Sequence, residues 1–211
     1  PVLFYCLEMD NVELYGKFIQ GMTKRTEEML TVEYLTKPDC REKAGIHNIF
    51  FQEKMAGESI VSVIKKIREA VLYLGVTQVY FDNLQFLTTG AQDENKAISI
   101  ATKALKEIAM ELKIIIVLIS QPRKLMGNAE IEIFDGKGSS SIATDCDAYV
   151  SLWRKVIKST TMEEDFKSAS LSPFIKIRIV ASRRSQGGET GLYYEGAHAY
   201  FRSIDVGDEK C

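Results

Sequence analysis

Val79-Tyr80-Phe81-Asp82-Asn83-Leu84-Gln85-Phe86-Leu87 is an apolar run that ends in one acidic residue and then turns amphipathic. A strand buried on both faces reads this way. At its end it delivers the carboxylate to the carboxyl edge of a parallel sheet, where α/β folds place their ligands. Taken alone, the stretch also fits an ordinary strand that closes in a turn aspartate. The segments on either side decide between the two.

Just upstream, Ile60, Val63, Ile64, Ile67, Val71 and Leu74 share one helical face, and Gly75 is placed to terminate it. Before that, residues 46–51 read as a strand. Residues 23–45 are charged and irregular, with room for a short helix. Val12, Tyr15, Phe18, Ile19 and Met22 fall at helical spacing, with Asp10 or Asn11 as N-cap, and residues 2–7 read as a buried strand. Downstream, a polar loop leads to Ile98, Ala101, Leu105, Ile108 and Leu112 on a second helix face. Residues 114–119 form a branched apolar strand that ends at Ser120-Gln121. Residues 148–153 read as another strand, followed by a polar stretch at 158–172. The tail reads as antiparallel strands at 174–181, 191–195 and 199–203, with Glu195-Gly196 in a turn. Strands alternating with helices predict an α/β fold. Its sheet is mostly parallel with helices on both faces, and an antiparallel C-terminal meander adds strands at one edge. There is no internal repeat, low-complexity tract or linker, so residues 1–211 read as a single domain.

Composition sets the outer bounds. The 211 residues are 45% hydrophobic and 27% charged, as in a globular chain with a real core. The formal net charge is −2, so any nucleic-acid contact must come from a local basic patch. Cys6, Cys40, Cys146 and Cys211 are scattered, with no CxxC pair and no Cys/His cluster. That spacing argues against zinc and suits reduced, intracellular thiols. No run is long and apolar enough to span a membrane as a helix.

Four polar residues follow the ends of predicted strands: Glu8, Asp82, Gln121 and Arg184. If these strands are parallel, the four ends converge on one edge. A base, a metal-holding carboxylate, an amide that senses phosphate and a cationic finger are the parts that phosphoryl transfer uses.

Residues 5–9, 81–86, 120–124 and 139–147, and Arg184 with residues 188–191, together resemble the motifs of a known family, the helicase domain of DnaB-like, RecA-fold proteins, which includes bacterial replicative helicases, phage primase-helicases and Twinkle. Tyr5-Cys6-Leu7-Glu8-Met9 is similar to the family's S-L-E-M segment, and Phe81-Asp82-Asn83-Leu84-Gln85-Phe86 to its Walker B strand in the Twinkle form. Ser120-Gln121-Pro122-Arg123-Lys124 resembles the S-Q or H-P-R-K segment. Ser139-Ser140-Ser141-Ile142-Ala143-Thr144-Asp145-Cys146-Asp147 resembles G-S-I-x-Q-x-A-D, and Arg184 with Gly188-Glu189-Thr190-Gly191 resembles the R-x-x-G-[DE]-x-G end. The five occur in the family's order across nearly the whole chain.

The resemblance implies a RecA-like P-loop NTPase core and an ATP-driven replicative helicase motor that forms a homo-hexameric ring on single-stranded DNA. ATP and Mg²⁺ are the implied cofactors, and a primase domain or partner is an implied associate. The implied setting is intracellular: cytoplasm or nucleoid, a viral replication complex or a mitochondrial nucleoid. Glu8 would be the general base, or else a surface glutamate that opens a helix. Asp82 would hold Mg²⁺. Gln121 would contact the γ-phosphate, or else cap a strand. Arg184 would be the arginine finger that reaches a neighbouring subunit's ATP, or else an edge-strand arginine. The family's usual lysine two residues before that finger is Ser182 here. Arg183 therefore either supplies the second nucleotide-binding cation, or that cation is lost. Lys137, Gly138, Ser139 and Ser140 would line the ring's channel and touch DNA phosphates, and the alternative is a flexible turn. Arg123 and Lys124 would contact DNA or be solvated. His47 and His198 read as structural or exposed, and Trp153 as core.

The sequence lacks a G-x-x-x-x-G-K-[ST] loop. Gly136-Lys137-Gly138 fails as one, because residue 131 is Ile and Gly138 stands where Ser or Thr is needed. In the family that loop and its strand precede the S-L-E-M segment and sit mid-sheet. The expectation is that an upstream segment supplies them, that neighbouring strands otherwise keep unpaired edges, and that these residues alone do not turn over ATP. Two other readings remain open: a recombinase or KaiC-like ATPase on the same fold, and a non-catalytic oligomerisation or loader module.

Overall fold

The computed structural model describes residues 1–37, 40–53, 58–88, 90–122, 129–133, 135–136, 139–157 and 170–204. Strand β1 (Val2–Cys6) leads through helix α1 (Asn11–Thr23) and the short helices α2 (Val32–Leu35) and α3 (Cys40–Lys43) to β2 (Ile49–Glu53). Helix α4 (Ile60–Leu74) precedes β3 (Gln78–Asp82), and the single turn α5 (Leu84–Leu87) and long α6 (Glu94–Leu112) precede β4 (Ile115–Leu118). Helix α7 (Ser139–Asp145) then introduces β5 (Ala148–Ile157), β6 (Ser170–Ser182), β7 (Gly188–Glu195) and β8 (Tyr200–Ser203).

Local chemistry sets the helix ends. The Asp10 carboxylate accepts from the Glu13 amide at 2.7 Å and caps α1. Ser59 caps α4 by the same geometry. Gly75 ends α4 in the left-handed region (φ 64°), where a Cβ would be strained.

The first four strands form a parallel sheet in the order β2-β1-β3-β4. Its register places Tyr5 beside Phe81 and Cys6 beside Asp82. Leu3, Tyr5, Val79 and Phe81 point to one face and bury against Val63, Ile67, Leu105 and Ile108 of α4 and α6. On the other face, Phe4 packs against Phe18 of α1 and stacks on Tyr80. Helices therefore cover both faces, as the alternation predicts.

The meander is a sheet of its own, β5-β6-β7-β8, and is antiparallel throughout. The sequence reading placed it on the edge of the parallel sheet. Instead, β4 and β5 each keep one edge without a strand among the described residues. The two layers meet partly at α1, where the Gln20 carboxamide donates to the Ala197 carbonyl at 2.8 Å and Gly21 lies under the Ala199 carbonyl.

Several strand boundaries move. The second strand begins at Ile49 rather than residue 46, because Ile46 buries with Ile19, Cys40 and Ala44 in a separate cluster. Strand β5 runs on to Ile157 and β6 starts at Ser170, inside the stretch read as polar, because the two pair at Val156–Leu171 and Ile157–Ser170. Pro173 falls at the register shift between those pairs and Arg154–Ile175, where a missing amide costs no ladder bond.

Candidate functional site

Parallel pairing brings three of the expected residues together. Leu7 donates its amide to the Asp82 carbonyl at 3.1 Å, which carries β1 and β3 side by side past their last paired residues. Ile119 donates to the Phe81 carbonyl at 3.0 Å, and Leu84 to the Ile119 carbonyl at 2.8 Å, so the exit of β4 is fixed on the other side of β3. Glu8, Asp82 and Gln121 thus leave three adjacent strands at the same edge.

The side chains connect. Asn83 donates Nδ2 to Glu8 Oε2 at 2.6 Å, a short, charge-assisted contact. The Gln121 Nε2 approaches the same oxygen at 3.5 Å, the outer limit of a hydrogen bond. Gln85 Oε1 accepts from the Gln121 amide at 3.2 Å, and Gln85 Nε2 donates to Ser120 Oγ at 3.0 Å. Residues 82–85 therefore present a carboxylate, a carboxamide turned toward β1 and a carboxamide turned toward β4.

This edge is electronegative. Burial lifts the Asp82 carboxyl above the usual carboxylate range, and the nearby Glu8 charge adds to the shift. The Cys6 thiol is pushed up to about 11, first by burial and then by Glu53, Asp82 and Asp10. Neither Glu8 nor Asp82 has an ion-pair partner among the described residues. A cation would relieve that uncompensated charge. No group of three or more His, Cys, Asp or Glu side chains converges for a metal among the described residues. The Asp82 and Glu8 carboxylate oxygens are hard donors of the kind that suit Mg²⁺, an ion that keeps several waters and takes much of its shell from phosphates.

Arg184 does not join this cluster by the route expected. Strand β6 pairs with β5 and β7 in the other sheet, so no shared ladder carries its end to the edge where Glu8, Asp82 and Gln121 meet. Arg184 lies beyond the end of β6, exposed, with its amide directed at Ser182 Oγ at 3.3 Å. Among the described residues its guanidinium has no hydrogen-bond partner, while Asp147 feels its charge. Arg183 is exposed but engaged: its guanidinium donates to the Thr144 carbonyl and its amide donates to the Asp147 carbonyl at 2.9 Å. Both arginines thus sit near the C-terminal end of α7.

Of the residues expected at DNA, Arg123, Lys124, Lys137 and Gly138 lie outside the described residues. Ser139 and Ser140 open α7, and their side chains lie outside the description too. His47 is exposed, and His198 lies 3.6 Å from Glu195. Trp153 is half-buried rather than core, with Nε1 donating to the Ala129 carbonyl at 3.0 Å. The sequence reading assigned no role to Asn83 or Gln85. The signal was two amide side chains directly after the strand-end aspartate, but only the sheet order reveals what they reach.

A model of the DnaB-like helicase C terminal domain matches residues 1–203. A probable replicative DNA helicase of Trieres chinensis is 24% identical over 180 residues, covering 78% of this chain and 39% of that protein. The chain therefore spans about two fifths of the length of that relative. Among solved structures, a DnaB-like replicative helicase studied with primase aligns at a TM-score of 0.73 and 20% identity, over 97% of this chain and 52% of that one. A KaiC-like protein of Pyrococcus horikoshii aligns at 0.59 and 14%, over 97% and 76%. At these identities the solved structures speak to the fold alone, a RecA-like arrangement of helices around a parallel sheet.

Proposed function

Because the chain belongs to the DnaB-like helicase C-terminal domain family, we propose that it is the motor domain of a hexameric, ATP-dependent replicative helicase that translocates on single-stranded DNA and unwinds duplex. The observation that carries this reading is the meeting of Glu8, Asp82 and Gln121 at one carboxyl edge, with Asn83 and Gln121 both directed at Glu8.

In this reading Glu8 takes the proton of the attacking water, since it is exposed and its carboxylate is oriented by an amide donor. Asp82 and its neighbouring charge would hold Mg²⁺, which when bound neutralises phosphate charge. Gln121 hydrogen-bonds to the Glu8 carboxylate and, through its backbone, to Gln85. A displacement of its side chain would be felt at Glu8 after β1, and one of its backbone at Gln85 after β3. Arg184, beyond the end of β6 and without a side-chain partner among the described residues, is available to a neighbouring subunit's nucleotide. Arg183 braces the α7 end and is less available to bind phosphate. Head-to-tail packing of that kind closes into a ring.

The loop that cradles phosphate would come from outside residues 1–211. Among the described residues β4 and β5, like β2 and β8, are edge strands, and such an edge would give its strand a place to pair. Residues 137–140, with Arg123 and Lys124, would face DNA phosphates, and a primase domain or partner would associate with the whole ring. No helix among the described residues is long and apolar enough to cross a membrane.

The test is the Asp82→Asn change in the intact protein. DNA-stimulated ATP hydrolysis should fall to near background. Turnover close to wild type would remove Asp82 from the site and the reading with it.

A further inference from the structure

Asn83 is 1% exposed, yet it carries a full carboxamide. One arm of that group is engaged, with Nδ2 on Glu8 Oε2 at 2.6 Å. The other, Oδ1, is buried and accepts no hydrogen bond from any described residue. The assignment of the two atoms follows from chemistry, because an ionised carboxylate can only accept and so must face the NH₂. An asparagine kept for structure would satisfy both arms. A residue kept for packing would be apolar, since Leu84, Ile98, Ala101 and Ile142 form a buried apolar cluster starting at the next residue. An unsatisfied buried oxygen is a standing cost, and functional sites are where such costs persist.

The surroundings make Asn83 a rigid mount. Its backbone follows β3 directly, and the next residue is bonded to the β4 exit through Leu84 N and Ile119 O at 2.8 Å. Gln85, two residues on, fixes Ser120 and the Gln121 amide. Glu8 is an exposed side chain whose other donor, Gln121 Nε2, stands at the outer limit of 3.5 Å. A buried donor at 2.6 Å selects its orientation.

We infer that Asn83 is a positioning residue for Glu8: its Nδ2 holds the carboxylate in the orientation needed to take a proton from the attacking water. This rests on the reading of Glu8 as the base. Asn83 itself touches neither nucleotide nor water in this scheme.

The experiment uses the intact protein on single-stranded DNA with ATP and Mg²⁺. Asn83→Leu keeps the number and branching of side-chain heavy atoms, removes the donor and removes the oxygen left without a described partner. The expected result is a kcat lowered about 10- to 100-fold, the range for losing a hydrogen bond to a charged group. The KM for ATP should be unchanged, because ground-state binding is untouched. The thermal midpoint should be unchanged or higher. A structural role would instead lower the midpoint. In a Glu8→Gln background, Asn83→Leu should cause no further loss, because both act through one group. Wild-type kcat in Asn83→Leu, or a multiplicative loss in the double variant, overturns the inference. If the leucine variant does not assemble, Asn83→Ala is read by the same kcat and KM split. Glu8→Gln alone separates the two levels of argument. Near-normal turnover there would remove Glu8 as the base, whereas a large loss beside an unaffected Asn83→Leu would overturn the positioning role alone.

Discussion

The two sheets of this molecule are built on different physics. The parallel sheet is sealed at its central strands β1 and β3, where Tyr5, Val79 and Phe81 are fully buried and Tyr5 and Phe81 stack with ring centroids 5.2 Å apart, although Ile115 on the edge strand β4 is 59% exposed. The antiparallel sheet is open, with Val150, Leu152, Ile157, Leu171 and Phe201 all about half exposed. Charge holds part of its surface. Lys176 lies 3.0 Å from both Glu130 and Glu189, and Arg178 lies 2.7 Å from Glu132. The difference teaches where precision is placed. The sealed sheet sets the spacing of Glu8, Asp82 and Gln121 through backbone ladders. The open sheet presents Arg184, whose task lies outside its own chain in the reading above. Its half-exposed apolar strands are what a ring interface would cover.

The sharpest way to break this contrast is Arg184→Ala. In the intact assembly, ATP hydrolysis should fall about 10³- to 10⁵-fold, as for a lost arginine finger, while each subunit still binds nucleotide. Mixed rings of Arg184→Ala and Glu8→Gln subunits should recover some turnover at interfaces that pair a good base with a good finger. If mixed rings recover none, the finger does not act across subunits.

A smaller effect separates the cores. Phe81→Ala should cost about 3–5 kcal/mol in denaturant unfolding, since it empties a fully buried site. Leu152→Ala, at 62% exposure, should stay within about 0.5 kcal/mol. Equal losses would mean that the open sheet is buried in the intact protein, which would itself point to the interface. The smallest effect belongs to the ion pairs. Arg178→Met should lower the unfolding midpoint slightly at low salt and not measurably at high salt. A loss that persists in high salt would assign the role to its bond with the Ile131 carbonyl at 3.0 Å instead.

Much of this was legible from residues alone. Helix faces at 60–74 and 98–112, the Asp10 and Gly75 ends, and the strand that carries Asp82 all follow from local preference and hydrophobic period, because each is decided within a few turns of chain. The placement of Glu8 and Gln121 beside Asp82 was also within reach, because parallel strands share a direction. The same rule does not reach Arg184, because β6 pairs only with β5 and β7 in a separate sheet, and strand direction is shared only through pairing. Ile46 was drawn into a strand because an apolar residue looks the same whether it buries in a sheet or against α1.

By itself, then, the sequence determined the kinds of element and the chemical parts at their ends, through local propensity and the requirement to bury apolar faces. Tertiary structure alone decided that the meander is a separate sheet, that Arg183 is spent on Thr144, and that Asn83 reaches Glu8. Glu8 and Asn83 are 75 positions apart. Nothing local encodes a contact at that separation, and it exists only because β1 and β3 are hydrogen-bonded neighbours.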